Sequence, residues 1–131
     1  MSKRENISSG AIWEDTVGYS RAVKIGNVIE ISGTTSVDGK EVIGIGDPYR
    51  QTIEIMNKFK TILNNAGSSL KDVVRVRIYV VHMEDWEQIG KAFSENFRLI
   101  KPAATLVGVK ELISSELLVE IEATAILLDE D

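Results

Sequence analysis

Leu117-Leu118-Val119-Glu120-Ile121-Glu122-Ala123-Thr124-Ala125-Ile126-Leu127-Leu128 is a run without Gly or Pro. It alternates. Leu117, Val119, Ile121, Ala123, Ala125 and Leu127 share one face, and Leu118, Glu120, Glu122, Thr124, Ile126 and Leu128 share the other. A period of two over this length predicts a β-strand. The first face is apolar throughout and belongs on a core. The second sets two carboxylates between apolar ends, where an unpaired charge is costly. Glu120 and Glu122 therefore need cationic or hydrogen-bonding partners, or they face a cleft that admits water.

The nearest partners in type lie in Val73–Val81. Here Val74, Val76, Ile78 and Val80 alternate with Val73, Arg75, Arg77, Tyr79 and Val81. Cross-strand pairing of Arg75 and Arg77 with Glu120 and Glu122 would meet the burial problem. From the residues alone this pairing is favoured over a ligand site, because structural ion-pair networks also perturb carboxylates.

Upstream, residues 1–10 read as a flexible leader and Ala11–Glu14 as a short strand. Gly18-Tyr19-Ser20-Arg21-Ala22-Val23 is a turn running into a strand that ends at Ile25. Gly26-Asn27 is a hairpin signal, followed by a strand over Val28–Ser32. Asp47 is a good N-cap and Pro48 suits a first helical position, so a helix is predicted from Pro48 to Ala66, stopped by Gly67. A second helix opens at Glu84 and Asp85, carries Trp86, Ile89, Phe93, Phe97 and Ile100 as its apolar stripe, and breaks at Lys101-Pro102. Ala104–Val109 is a further strand.

Strands, helix, strand, helix, strands imply an α+β sandwich, with both helices on one face of a mixed sheet. Two helices cover one face only. The other face, read as carrying Val73, Tyr79, Val81, Leu118, Ile126 and Leu128, is too apolar for water, so a homo-oligomer is expected to cover it. Clefts between such subunits suit small molecules.

The chain has 131 residues and no internal repeat or linker, the size of one domain spanning 1–131. It has no Cys, which excludes disulfides and thiolate chemistry, and one histidine, His82, so no multi-histidine metal site forms within a chain. No apolar run approaches a membrane span and no secretory core follows the first residues, which together point to the cytoplasm. A net charge of -5 without a basic run disfavours nucleic acid as a partner.

Gly44-Ile45-Gly46 before a helix suggests a phosphate loop, but Asp47 would repel an anion there. His82 reads as an exposed turn residue, and Trp86, Phe93 and Phe97 as helix core. Tyr19 is less easily explained as core, because its hydroxyl lies in a Gly-containing turn.

Taken together, Gly18-Tyr19-Ser20-Arg21-Ala22-Val23, Ile31-Ser32-Gly33, Asn65-Ala66-Gly67-Ser68-Ser69-Leu70-Lys71-Asp72-Val73-Val74, Pro102-Ala103-Ala104-Thr105 and Leu118-Val119-Glu120-Ile121-Glu122-Ala123 resemble, in order and spacing, the motifs of the RidA (YjgF, L-PSP) family. The resemblance implies a chorismate-mutase-like fold: a mixed six-stranded sheet with two helices on one face, assembled as a homotrimeric barrel. It implies ligand clefts between subunits and hydrolysis of reactive imines or enamines, such as 2-aminoacrylate, to a carbonyl compound and ammonia, with no cofactor and no metal. Carried over by position, Glu120 would activate water and Tyr19 would orient substrate, while Ser32, Gly33, Phe93, Ala104 and Thr105 would line the cleft. Ala104 stands where the family motif has the arginine that holds a substrate carboxylate. An alanine makes no such pair. A divergent branch with a less anionic substrate than 2-aminoacrylate is therefore expected. The alternative is a non-catalytic trimer that binds a small metabolite and regulates a partner. An endoribonuclease, an activity attributed to some members, fits the charge poorly.

Overall fold

The computed structural model describes residues 3–128. Eight strands and two α-helices follow in the order β1 (Arg4–Ile7), β2 (Ala22–Ile25), β3 (Val28–Thr34), β4 (Val37–Asp38), β5 (Glu41–Val42), α1 (Pro48–Asn65), β6 (Val73–Val80), α2 (Trp86–Phe97), β7 (Ala103–Gly108) and β8 (Val119–Ile126). Six of the strands form one mixed sheet in the order β1-β2-β3-β8-β6-β7, and β4 and β5 make a small separate hairpin. β6 and β7 run parallel, with α2 as their crossover; the other pairs of the large sheet are antiparallel.

The alternation of the last strand decides this arrangement. β8 lies between β3 and β6, and every second residue from Val119 to Ala125 is buried. Val119, Ile121, Ala123 and Ala125 pack with Ile29 and Ile31 of β3 and Val76, Ile78 and Val80 of β6 beneath the helices. From α1 come Ile55, Met56, Phe59, Ile62 and Leu63, and from α2 Ile89 and Phe97. The start of α1 is capped as the sequence predicts: Asp47 accepts a hydrogen bond from the Arg50 N–H at 2.9 Å. Its end is closed by Gly67 at φ 80°, with the Ser68 N–H donating to the Leu63 carbonyl at 2.8 Å.

Four local expectations are corrected. Arg4–Ile7 is not a flexible leader but an edge strand, in register with Ala22–Ile25. Ala11–Glu14 does not form a strand: the chain turns helically there and continues as a wide turn over Glu14–Gly18. That turn buries the Glu14 carboxylate, which accepts from the Ser8 hydroxyl (3.0 Å), the Ser9 N–H (3.1 Å) and the Ser9 hydroxyl (2.5 Å). In β6 a bulge between Val73 and Arg75 reverses the expected alternation, so Val73 is buried and Val74 is exposed. Trp86 sits at the first turn of α2 with 55% of its surface exposed, outside the stripe that Ile89 and Phe97 bury.

Among the described residues no helix is long and apolar enough to cross a membrane. The sheet face away from the helices carries Glu30, Glu120, Glu122, Thr124, Arg77 and Tyr79 in neighbouring registers. Apolar residues are exposed around it, Ile25, Val28 and Val107 among them.

Candidate functional site

Register separates the two carboxylates of β8. Arg77 lies opposite Glu122 and Tyr79 opposite Glu120. Arg77 is 3.6 Å from Glu122, and the Tyr79 hydroxyl reaches diagonally to donate to the same carboxylate at 2.5 Å. That hydrogen bond, with some burial, raises the Tyr79 phenol above its ordinary value. Arg75 donates to the Thr105 hydroxyl at 2.7 Å instead of reaching a β8 carboxylate. The expected pairing thus exists for Glu122 and fails for Glu120.

Glu120 is partly buried and takes part in no ion pair or side-chain hydrogen bond among the described residues. Burial pushes its carboxyl above the ordinary carboxylate value; Arg21 pulls it back and Glu122 adds to the rise. It lies against Gly33, whose missing side chain leaves the space that the carboxylate fills. The β3–β8 pairing slips between Ile31 and Thr34, and this irregularity places Gly33 beside β8 without a ladder partner.

Ser32 and Gly33 are held from the other side by the turn before β2. The Ser32 N–H donates to the Arg21 carbonyl at 3.0 Å, and the Ser32 hydroxyl to the Ser20 carbonyl at 2.6 Å. The Arg21 Nη2 donates to the Gly33 carbonyl at 2.5 Å. Its guanidinium carbon stands 5.7 Å from the centre of the Tyr19 ring, within cation–π range. Tyr19 is itself placed by its N–H, which donates to the Glu14 carbonyl at 2.9 Å. It is 40% exposed and lines an open groove with Ser20, Ser32, Asn6, Ser8 and Glu14. Glu120 does not line this groove, but Ser32–Gly33 borders both.

One protomer therefore gathers Tyr19, Ser32, Gly33 and Glu120 around the β3 irregularity. It does not bring the other named residues there. Phe93 lies tilted against Phe97, ring centres 4.8 Å apart, and packs against the core in the helix layer. Thr105 and Ala104 are exposed on the edge strand β7; Ala104 is in register with core residue Val76 and so faces away from the Glu120 side. Arg21 joins this group although no motif in the sequence marks it as a site residue. The available signal was its alternation with Ala22, whose burial sends Arg21 to the Glu120 side of the sheet.

Among the described residues, no three His, Cys, Asp or Glu side chains are grouped to hold a metal ion. What the site offers is a desolvated carboxylate without a partner, a guanidinium near it, and an aromatic hydroxyl.

The family profile described as Endoribonuclease L-PSP matches residues 12–127. A crystal structure of a YjgF-family protein from Mycobacterium tuberculosis superposes with a TM-score of 0.87 at 39% identity, covering 95% of this chain and 100% of that one. The 3-aminoacrylate deaminase RutC of Acinetobacter baylyi is 34% identical over 82% of this chain and 85% of its own. A 2-iminobutanoate/2-iminopropanoate deaminase from Dermatophagoides farinae is 28% identical over 97% and 99%, respectively.

Proposed function

The chain belongs to the L-PSP (RidA, YjgF) family, and from that premise we propose that it is a deaminase that hydrolyses a reactive imine or enamine to a carbonyl compound and ammonia. The observation that carries this reading is the state of Glu120. A carboxylate paired for stability would look like Glu122, held by Arg77 and Tyr79. Glu120 has no such partner among the described residues, and burial raises its carboxyl above the ordinary value, the direction that suits a group which accepts and returns a proton.

The chemistry needs little else. Water adds to the imine carbon, and Glu120 takes its proton. The proton is returned to nitrogen to give a carbinolamine; its hydroxyl proton then passes through the same carboxylate to the amine, the C–N bond breaks as the carbonyl forms, and ammonia leaves. An enamine is first protonated at carbon to the imine. Relatives named for 3-aminoacrylate and for 2-iminobutanoate and 2-iminopropanoate support this reaction class. Ala104 gives no charge to a substrate, so the substrate differs from 2-aminoacrylate in how it is held.

The assembly is part of the proposal. Within one protomer Ala104 faces the other side of the sheet from Glu120 and Thr105, on the same side, lies two strands away, while apolar side chains are exposed around the free sheet face. A homotrimer with clefts between subunits would cover that face and bring the edge strand of one protomer to the Glu120 of the next.

The experiment generates imines with an amino-acid oxidase and times ammonia release with wild type and Glu120→Ala. Acceleration by wild type that Glu120→Ala loses is the expected result. No acceleration with any imine would sink the reading and favour a trimer that binds a small metabolite without turning it over, which Ala104 in the motif would also suit.

A further inference from the structure

Three alternate carbonyls on the way from β3 to β4 accept hydrogen bonds from cationic side chains. Arg21 Nη2 donates to Gly33 at 2.5 Å, and the Lys58 ammonium of α1 donates to Thr35 at 2.6 Å and to Val37. Ser36, between the last two, is fully buried, and its carbonyl accepts from the Ile43 N–H at 3.0 Å. The segment is thus gripped at one end from the turn before β2 and at the other from the helix layer.

A neutral donor would hold a carbonyl at less cost. Lys58 is partly buried, and burial lowers its amine below 10.5; Glu54 and Asp38 oppose this, and the like charge of Arg21 adds to it. Neither Lys58 nor Arg21 takes part in an ion pair; the pairs among the described residues are Arg50–Glu54 and Arg77–Glu122. What the ammonium supplies is two charge-assisted bonds at once, each stronger than an amide would make.

That grip is applied beside Glu120. Thr34 is the ladder partner of Ile121; Gly33 and Thr35 flank Thr34, and Glu120 precedes Ile121. A Cβ on Gly33 would stand 2.3 Å from the Glu120 Oε2, so a movement of this segment moves the floor on which the carboxylate rests. The same helix fixes the other strand. Gln51, about two turns before Lys58 and on the same face of α1, donates to the Glu116 carbonyl and accepts from the Leu118 N–H, both at 2.9 Å. The end of β3 and the start of β8 are therefore both tied to α1, on either side of the Glu120–Gly33 contact.

We propose that Lys58 is a positioning residue for Glu120: by holding the Thr35 and Val37 carbonyls it fixes, from α1, the segment whose Gly33 seats the carboxylate. The assignment goes beyond the deaminase reading and rests on it only for the effect on rate.

The test reads the Glu120 carboxyl directly. It is titrated by NMR in the full chain, its signal assigned by its loss in Glu120→Gln, as wild type, Lys58→Met and Lys58→Arg. The groups around it, Arg21 from the turn, Glu122 on its own strand and Tyr79 opposite on β6, are the same in all three. Lys58→Met is expected to let water reach the carboxylate and move its titration down toward 4.5, by roughly half a unit or more, because burial is the largest cause of its rise. Loss of a positive charge alone would move it up. Lys58→Arg keeps the charge and the donors and is expected to restore most of the wild-type value. Imine turnover is followed in parallel. In Lys58→Met kcat should fall about ten- to a hundredfold while KM changes by less than about threefold. A titration that stays in place or moves up in Lys58→Met overturns the assignment. So does an unchanged kcat beside a lowered urea midpoint, the result for a lysine that only stabilises the fold. Should Lys58→Met fail to fold by circular dichroism, Lys58→Gln takes its place under the same criteria. Absence of turnover by wild type would remove the deaminase and leave the titration to decide the role of Lys58.

Discussion

The carboxylate of Glu120 occupies the space that a side chain on Gly33 would need. A Cβ built there would stand 2.3 Å from Oε2, 3.1 Å from Cδ and 3.4 Å from Cγ of Glu120. The contact joins two irregularities of the sheet: the register slip in β3 and the carboxylate of β8 that lacks a partner.

Gly33→Ala is therefore expected to displace the Glu120 carboxylate and leave the backbone in place, because the clashing atoms are the far end of a side chain. Misplacing a reacting group by about 1 Å costs on the order of a hundredfold in rate. Imine turnover should fall by that order, while unfolding by urea shifts by less than about 1 kcal/mol. A variant that keeps full activity would show that Glu120 is not held in position by this contact.

Glu120→Gln should separate activity from stability. Burial raises the folded-state carboxyl above its unfolded value, so the folded protein binds the proton more tightly than the unfolded chain does. The stability from that group is present below the unfolded pKa and is lost as pH rises through the folded one. At neutral pH the neutral amide is thus expected to raise the melting temperature slightly, and at acid pH to leave it unchanged. Turnover should drop by about a hundredfold to ten-thousandfold, the usual contribution of a positioned acid or base. A melting temperature that falls at neutral pH would mean that the charged form of Glu120 is doing structural work through Arg21.

Gln51 tests the route by which β8 is set in place. Its side chain is fully buried in α1, donates to the carbonyls of Gly44 (3.1 Å) and Glu116 (2.9 Å), and accepts from the Leu118 N–H (2.9 Å). The helix thus fixes the approach to the last strand just before Glu120. Gln51→Leu keeps the volume but leaves these backbone groups unpaired, at a cost of roughly 2–4 kcal/mol. Urea unfolding measures it. A loss well below 1 kcal/mol would show that water replaces the amide.

These residues mark what could and could not be read in advance. The face of β8 followed from alternation, because side-chain direction in a strand depends only on parity. The difference between Glu120 and Glu122 did not, because it depends on which residue of β6 lies opposite each, and a bulge at Val73–Arg75 sets that register. The same bulge exchanged Val73 and Val74. Arg21 looked like an ordinary strand residue until the Gly33 carbonyl and the Tyr19 ring were placed beside it by pairings distant in sequence. β1 escaped notice because Arg4–Ile7 has little apolar character of its own and is a strand only by pairing with β2.

The buried acid of the N-terminal turn gives a prediction of opposite sign to that of Glu120. Burial alone would raise the Glu14 carboxyl, but hydrogen bonds from the Ser9 hydroxyl, the Ser9 N–H and the Ser8 hydroxyl outweigh it, with help from Arg21, and the net shift is downward from 4.5. A carboxyl lowered in the folded state contributes stability that is present above the unfolded pKa and is lost as pH falls through the folded one. Glu14→Gln removes the charge and one full acceptor oxygen while keeping the shape. At neutral pH it should cost about 1–3 kcal/mol, the range for hydrogen bonds to a charged group. As the pH is lowered below 4.5 the wild type loses the same stabilisation, so the gap between the two urea midpoints should close. The turn also carries Tyr19, whose N–H donates to the Glu14 carbonyl. Slackening it should raise KM for an imine more than it lowers kcat, because Tyr19 lines the groove beside Ser32 and Glu120, the proton-transferring group, does not. A stability gap that stays constant from neutral to acid pH would assign the cost to side-chain shape and not to the charge.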